Sequence, residues 1–107
     1  MKIPSIRLSS EDIESICLVF KSFFDKEDHL WIFGSRVDTQ KKGGDIDLYI
    51  ETHMLDAKEI IDRKLNFLTE LYYKIGDQKI DVIINRISDS FSLPIYEMAK
   101  KEGVLLV

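Results

Sequence analysis

The chain is poor in the residues that build several classes of protein. Its one cysteine, Cys17, excludes an internal disulfide and a cysteine-rich zinc site. Two histidines, His29 and His53, leave little room for a histidine-based metal centre. There are only two prolines, Pro4 and Pro94, and no proline-, glycine- or serine-rich linker, repeat or low-complexity tract. The longest apolar runs, such as residues 16–20, fall far short of the ~18 residues that a membrane helix requires. The N-terminus carries no apolar signal core, so the expectation is a cytoplasmic protein with no membrane contact. Basic residues are outnumbered 15 to 19 by acidic ones, a net charge of −4. That balance argues against a sequence-independent grip on long nucleic acid, which needs a dense basic surface.

What is present is an ordinary globular composition: 45% hydrophobic and 32% charged residues over 107 positions. That length predicts one domain over 1–107. Ser9 and Asp12 stand at capping-box spacing, and Ile13, Ile16, Cys17, Phe20, Phe23 and Phe24 follow at helical intervals, so the first helix starts near Ser9. Cys17 lies on that apolar face and reads as a small core residue. Residues 29–33 form an aromatic-rich apolar run ending at Gly34, which predicts a buried strand with Trp31 in the core. Residues 45–51 alternate, with Ile46, Leu48 and Ile50 facing one way and Asp45, Asp47, Tyr49 and Glu51 the other. On that second face Glu51 is expected in solvent or against a partner. The longest helix is predicted over 55–75, with an apolar stripe of Ile61, Leu65, Leu68, Tyr72 and Ile75 and a stop at Gly76. A third strand covers 79–85, a last helix is capped by Ser92 and carries Pro94 in its first turn, and residues 104–107 add an edge strand. The order is α-β-(α)-β-α-β-α, an α/β (α+β) domain with a small mixed sheet packed with helices. His53, in the loop after the second strand, reads as simply exposed.

Chemistry concentrates in residues 34–47. Asp45 and Asp47 are two apart on a strand and project from one face. Two carboxylates so placed repel, and a hard divalent ion such as Mg²⁺, which takes carboxylate and phosphate oxygens, relieves the repulsion. Alone, an Asp-x-Asp pair is weak evidence, because a solvated strand face produces it too. Asp81 changes the weighting. It interrupts the apolar run Lys79, Ile80, Asp81, Val82, Ile83, where a buried carboxylate is costly without a partner. Set beside Asp45 and Asp47, it completes a three-carboxylate cluster able to hold two metal ions for in-line phosphoryl or nucleotidyl transfer. Gly34 and Ser35 directly follow the first strand, where a glycine turn offers backbone N–H groups and close approach to a phosphate. Arg36, Lys41 and Lys42 add positive charge nearby; Arg36 reads equally as a phosphate contact or a cap on a surface acid, and Lys41 and Lys42 read more readily as a solvated loop.

Gly34-Ser35, nine intervening residues, Asp45-Ile46-Asp47 and then Asp81 together resemble the signature of the DNA polymerase β-type nucleotidyltransferase superfamily. The short length resembles its minimal nucleotidyltransferase branch. The likeness spans roughly 10–103, and one departure is Gly44, where members carry Ser or Thr. The resemblance implies a nucleotidyltransferase-type fold in which Asp45, Asp47 and Asp81 bind two Mg²⁺ ions and assist catalysis. Gly34, Ser35 and Arg36 would hold the nucleotide, with ATP as substrate. It further implies a separate acceptor: AMP transferred to a hydroxyl, a tyrosine by likeness, of a HEPN-domain helical toxin, with this chain as antitoxin. Two other readings stay open, an antitoxin that inhibits by contact without needing catalysis, and a small-molecule nucleotidyltransferase completed by a second subunit.

Overall fold

A computed structural model describes residues 8–34, 45–76, 78–89 and 92–107. The elements run α1 (Ser10–Phe23), β1 (His29–Phe33), β2 (Ile46–Thr52), α2 (Ala57–Ile75), β3 (Ile80–Arg86), α3 (Pro94–Glu102) and β4 (Val104–Leu105). The optional helix between the first two strands lies outside the described residues. The described residues form a small α+β fold with three helices and one mixed four-stranded sheet of order β3-β2-β1-β4. β1 pairs antiparallel with β2 and β4, while β2 and β3, joined through α2, pair parallel.

The helix ends follow local chemistry. Ser9 caps α1 by accepting the Asp12 N–H at 3.0 Å, and Asp56 caps α2 by accepting the Lys58 N–H at 3.1 Å. The cap at Asp56 starts α2 two residues later than the periodicity alone predicts, and Gly76 ends it at φ 82. Ser92 is not the cap of α3. Leu93 occupies that position without a side-chain bond, and the Ser92 hydroxyl donates instead to Glu97 at 3.1 Å.

Alternation along β2 decides the layering. Leu48 and Ile50 join Leu30, Ile32 and Val82 on one face, where α1 and α2 cover them. Phe20 stacks on Phe24 at 4.9 Å and both meet Phe67 edge-on, an aromatic knot between the two helices. The other face carries a smaller cluster of Phe33, Tyr49 and Ala99, with Trp31, Ile83, Ile95 and Tyr96 partly buried around it, beneath α3. Trp31 therefore sits in this secondary cluster rather than in the main core. Cys17 is half-buried near the carbonyl of Leu106, and burial pushes its thiol pKa up, which keeps it an inert packing residue.

The apolar side of α2 departs from the predicted stripe. Phe67 and Leu71 are the fully buried positions, with Ile60, Leu68 and Ile75 packed against them. Ile61, Leu65 and Tyr72 are exposed, at 57%, 58% and 45%. The helix has apolar residues around nearly half its circumference, and spacing alone does not say which arc the sheet takes.

Candidate functional site

The site residues gather at one end of the sheet because of register. Parallel pairing sets Asp47 opposite Asp81, and antiparallel pairing sets Phe33 opposite Asp47. Register partners project from the same face, so Asp47 and Asp81 stand side by side on the α3 face, with Asp45 one pleat earlier. Gly34 follows Phe33 and so abuts Asp47. It has φ 78, and a Cβ built on it would collide with the Asp47 carboxylate. Glycine is required there for both reasons. The fold thus brings Gly34, Asp45, Asp47 and Asp81 into one neighbourhood. Ser35 and Arg36, with Lys41, Lys42 and Gly44, lie outside the described residues.

The electrostatics are those of crowded negative charge. Partial burial, then the neighbouring Asp81 and Asp45 carboxylates, raise the Asp47 pKa above the ordinary carboxylate range, and Lys79 opposes this. The Lys79 ammonium pairs with Asp45 at 3.5 Å.

Two details correct the sequence-based picture. Asp81 is exposed rather than buried, because it lies near the start of an edge strand. The burial argument that singled it out fails, although its place beside Asp47 stands. Among the described residues, moreover, no three His, Cys, Asp or Glu side chains converge closely enough to hold a metal ion. The donor set nevertheless suits a hard cation in kind: all-oxygen and anionic, with the charged form of Asp47 disfavoured by partial burial and then by the neighbouring carboxylates.

A polar network that sequence reasoning missed lies further along the same face. The buried Tyr49 hydroxyl donates to Glu51 at 2.8 Å and accepts from the Asn85 amide at 3.1 Å. Lys100 of α3 closes on Glu51 at 3.1 Å and lies 5.5 Å from the centre of the Trp31 ring. Tyr49 also stacks on Tyr96 at 5.5 Å. Burial, and after it the Glu51 carboxylate, push the Tyr49 pKa far up, so this phenol is a fixed strut between β2, β3 and α3. Glu51 is engaged here rather than held in solvent.

The opposite end of the sheet holds a second missed feature. Asp28 is 1% exposed, and its carboxylate accepts from the Thr52 hydroxyl at 3.0 Å and from the backbone N–H groups of Asp25 at 3.1 Å and His53 at 2.9 Å. The His53 ring approaches it at 3.3 Å, so His53 is tied down rather than merely exposed. Nothing in the local sequence separates Asp28 from its acidic neighbours Asp25 and Glu27.

No protein-family model matches this chain, and no curated protein matches it. Among the described residues, no helix is long and apolar enough to cross a membrane.

Proposed function

We propose that the chain is a magnesium-dependent nucleotidyltransferase of the minimal, polymerase β-like kind. The observation that carries the reading is the register of Asp47 against Asp81 with the backbone of Gly34 pressed beside them. This is the spatial form of the sequence signature, produced by three different strands. Asp45, Asp47 and Asp81 would hold Mg²⁺, which supplies charge neutralisation for a nucleoside triphosphate and its leaving pyrophosphate. Gly34 leaves room for the Asp47 carboxylate where a side chain would collide with it, and Gly34, Ser35 and Arg36 take the phosphate contacts by resemblance. Asp81 is the exposed member of the set and the one best placed to accept a proton from an incoming hydroxyl. In the reaction that hydroxyl oxygen bonds to the α-phosphorus, the bridging bond to the β-phosphate breaks, and pyrophosphate departs.

The acceptor rests on the resemblance alone: a tyrosine hydroxyl of a HEPN-type toxin, receiving AMP from ATP. A second reading, inhibition of that partner by contact, draws support from the Lys79–Asp45 ion pair and from the absence, among the described residues, of converged metal ligands. Transfer of label from ATP carrying ³²P at the α-phosphorus separates the two. Under the first reading, a co-expressed helical partner takes up label with Mg²⁺ and loses it with Asp45→Ala/Asp47→Ala, while the complex persists. Under the second, the complex forms and neutralises the partner with no label and no dependence on either aspartate.

A further inference from the structure

β3 closes one side of the sheet and, among the described residues, pairs with β2 alone. Its ladder is bracketed by the Ile46 N–H, which donates to the Lys79 carbonyl at 2.9 Å, and the Ile87 N–H, which donates to the Thr52 carbonyl at 3.1 Å. Alternate residues of a paired strand turn their backbone groups to the neighbour, so Asp81, Ile83 and Asn85 bond to β2. The N–H and C=O groups of Ile80, Val82 and Ile84 therefore point outward from the edge. Such edges are commonly blunted by proline, lysine, a bulge or shortness. β3 has seven residues, and no proline, glycine or lysine is among them. Arg86 at its end is turned away, donating to Asp89 at 3.1 Å and to the Leu55 carbonyl at 2.9 Å.

The two faces beside this edge differ in chemistry. α1 reaches the β4 side through Cys17 and Leu106, and it meets α2 along Arg63, Glu70 and Lys74. The exposed Ile61, Leu65 and Tyr72 lie on the opposite flank of α2, above the β3 edge. Lys58 and Lys64 border them, with stems able to cover an added strand. On the other face the edge shows the exposed Asp81, with Asp47 beside it and Asp45 beyond. We propose that the acceptor of the nucleotidyl group is an extended protein segment that adds to β3 as an antiparallel strand, an inference that rests on the proposed transferase reading. Its main chain bonds to Val82 and Ile84, its alternate apolar side chains lie beneath the flank of α2, and basic side chains between them face the carboxylates. Bonding at Val82 and Ile84 leaves Asp81 at a non-hydrogen-bonded position, where cross-strand side chains stand closest. A tyrosine diagonal to Asp81, about 7–8 Å away, is within reach of it. The phenol oxygen bonds to the α-phosphorus of ATP, the bridging bond to the β-phosphate breaks, pyrophosphate leaves and the phenol proton passes to Asp81.

The probe is a short peptide in which valine alternates with lysine and a tyrosine replaces the central lysine, added to the full chain. Amide hydrogen exchange followed by NMR should slow at Val82 and Ile84, whose N–H groups the peptide covers, and change little at Ile83, already bonded to β2. Ile84→Pro removes one outward donor and spares the β2 ladder, and Leu65→Glu charges the flank of α2. Each should weaken peptide binding at least about tenfold and leave binding of magnesium ATP unchanged. With Mg²⁺ and ATP labelled at the α-phosphorus, the parent should label the peptide's tyrosine, and both variants should lose that label. Absent protection at Val82 and Ile84, or labelling that survives both variants, overturns the strand-addition proposal and leaves the transferase reading standing. Protection that needs no peptide and rises with chain concentration overturns it too, in favour of a second copy on the edge. Protection by the peptide with no label and no binding of magnesium ATP overturns the transferase reading, and the acceptor role with it.

Discussion

Asp28 and Asp47 stand at opposite ends of the sheet, and their surroundings are opposites too. Asp28 is buried, and its two oxygens together accept hydrogen bonds from three loop and strand residues, Asp25, Thr52 and His53. Asp47 is partly exposed, and among the described residues the Asp81 and Asp45 carboxylates add to burial in raising its pKa, with Lys79 opposing them. One carboxylate organises the structure around itself. The other is held by the structure in a place it would not choose. Surroundings that satisfy a charge are the mark of a stabilising role, and under the proposed function the crowded carboxylates are where the cation would bind.

The sharpest way to break this comparison is to remove Asp28. Asp28→Ala leaves the Thr52 hydroxyl and the Asp25 and His53 N–H groups without an acceptor in a buried corner. The expected loss is about 3 kcal/mol, or a Tm drop of roughly 15 °C for a domain of this size, read by thermal unfolding monitored by circular dichroism. Asp28→Asn keeps one acceptor oxygen and should fall between the two. A variant as stable as the parent would remove the contrast between the two ends. Next in size is Gly34→Ala. A methyl group there meets the Asp47 carboxylate and must adopt φ 78, a combined cost on the order of 2 kcal/mol in the same unfolding measurement. Pairing it with Asp47→Ala should recover the part of that loss due to the collision and leave the part due to the backbone.

How far the sequence anticipates these two ends differs for a physical reason. The Gly34, Asp45, Asp47, Asp81 neighbourhood is legible because strand alternation and short spacing carry it. Period two puts Asp45 and Asp47 on one face, and a glycine closes the strand before them. Only the register that aligns Asp47 with Asp81 needs the fold, since it depends on how α2 returns the chain. Asp28 is illegible because two of its three partners are Thr52 and His53, and no local pattern ties residues so far apart in the chain. The Tyr49, Asn85, Glu51 and Lys100 network is hidden likewise, assembled from β2, β3 and α3. On α2 the period is clear but the apolar arc is broad, so Ile61, Leu65 and Tyr72 read as core and are not.

Smaller effects sharpen the comparison from the Asp47 side. The folded protein holds the Asp47 pKa above the unfolded value of about 3.9, so the native state binds this proton more tightly than the unfolded chain does. The stability tied to that proton is fully present below the unfolded pKa and is lost as pH rises through the raised native value. Asp47→Asn should therefore raise Tm by a few degrees at pH 7, the opposite sign to Asp28→Ala. The gain should shrink towards zero near pH 3, where the parent carboxyl is protonated in both states. A difference that does not change with pH would locate the effect in packing rather than in charge.

The smallest expected change comes from Lys79→Ala. Its ion pair with Asp45 lies at the surface and contributes only about 0–1 kcal/mol. Its loss should hardly move Tm. Among the described residues, Lys79 is nonetheless the positive charge that lowers the Asp47 pKa. Removing it should drive the Asp47 titration, followed by carboxyl carbon NMR, further upward. Under the proposed function the same variant should bind Mg²⁺ no more weakly, because the cation and the ammonium compete for one negative field. Weaker Mg²⁺ binding in Lys79→Ala would mean that the lysine organises the carboxylates instead of substituting for their ligand. Asp47 would then resemble Asp28 more closely than its surroundings indicate.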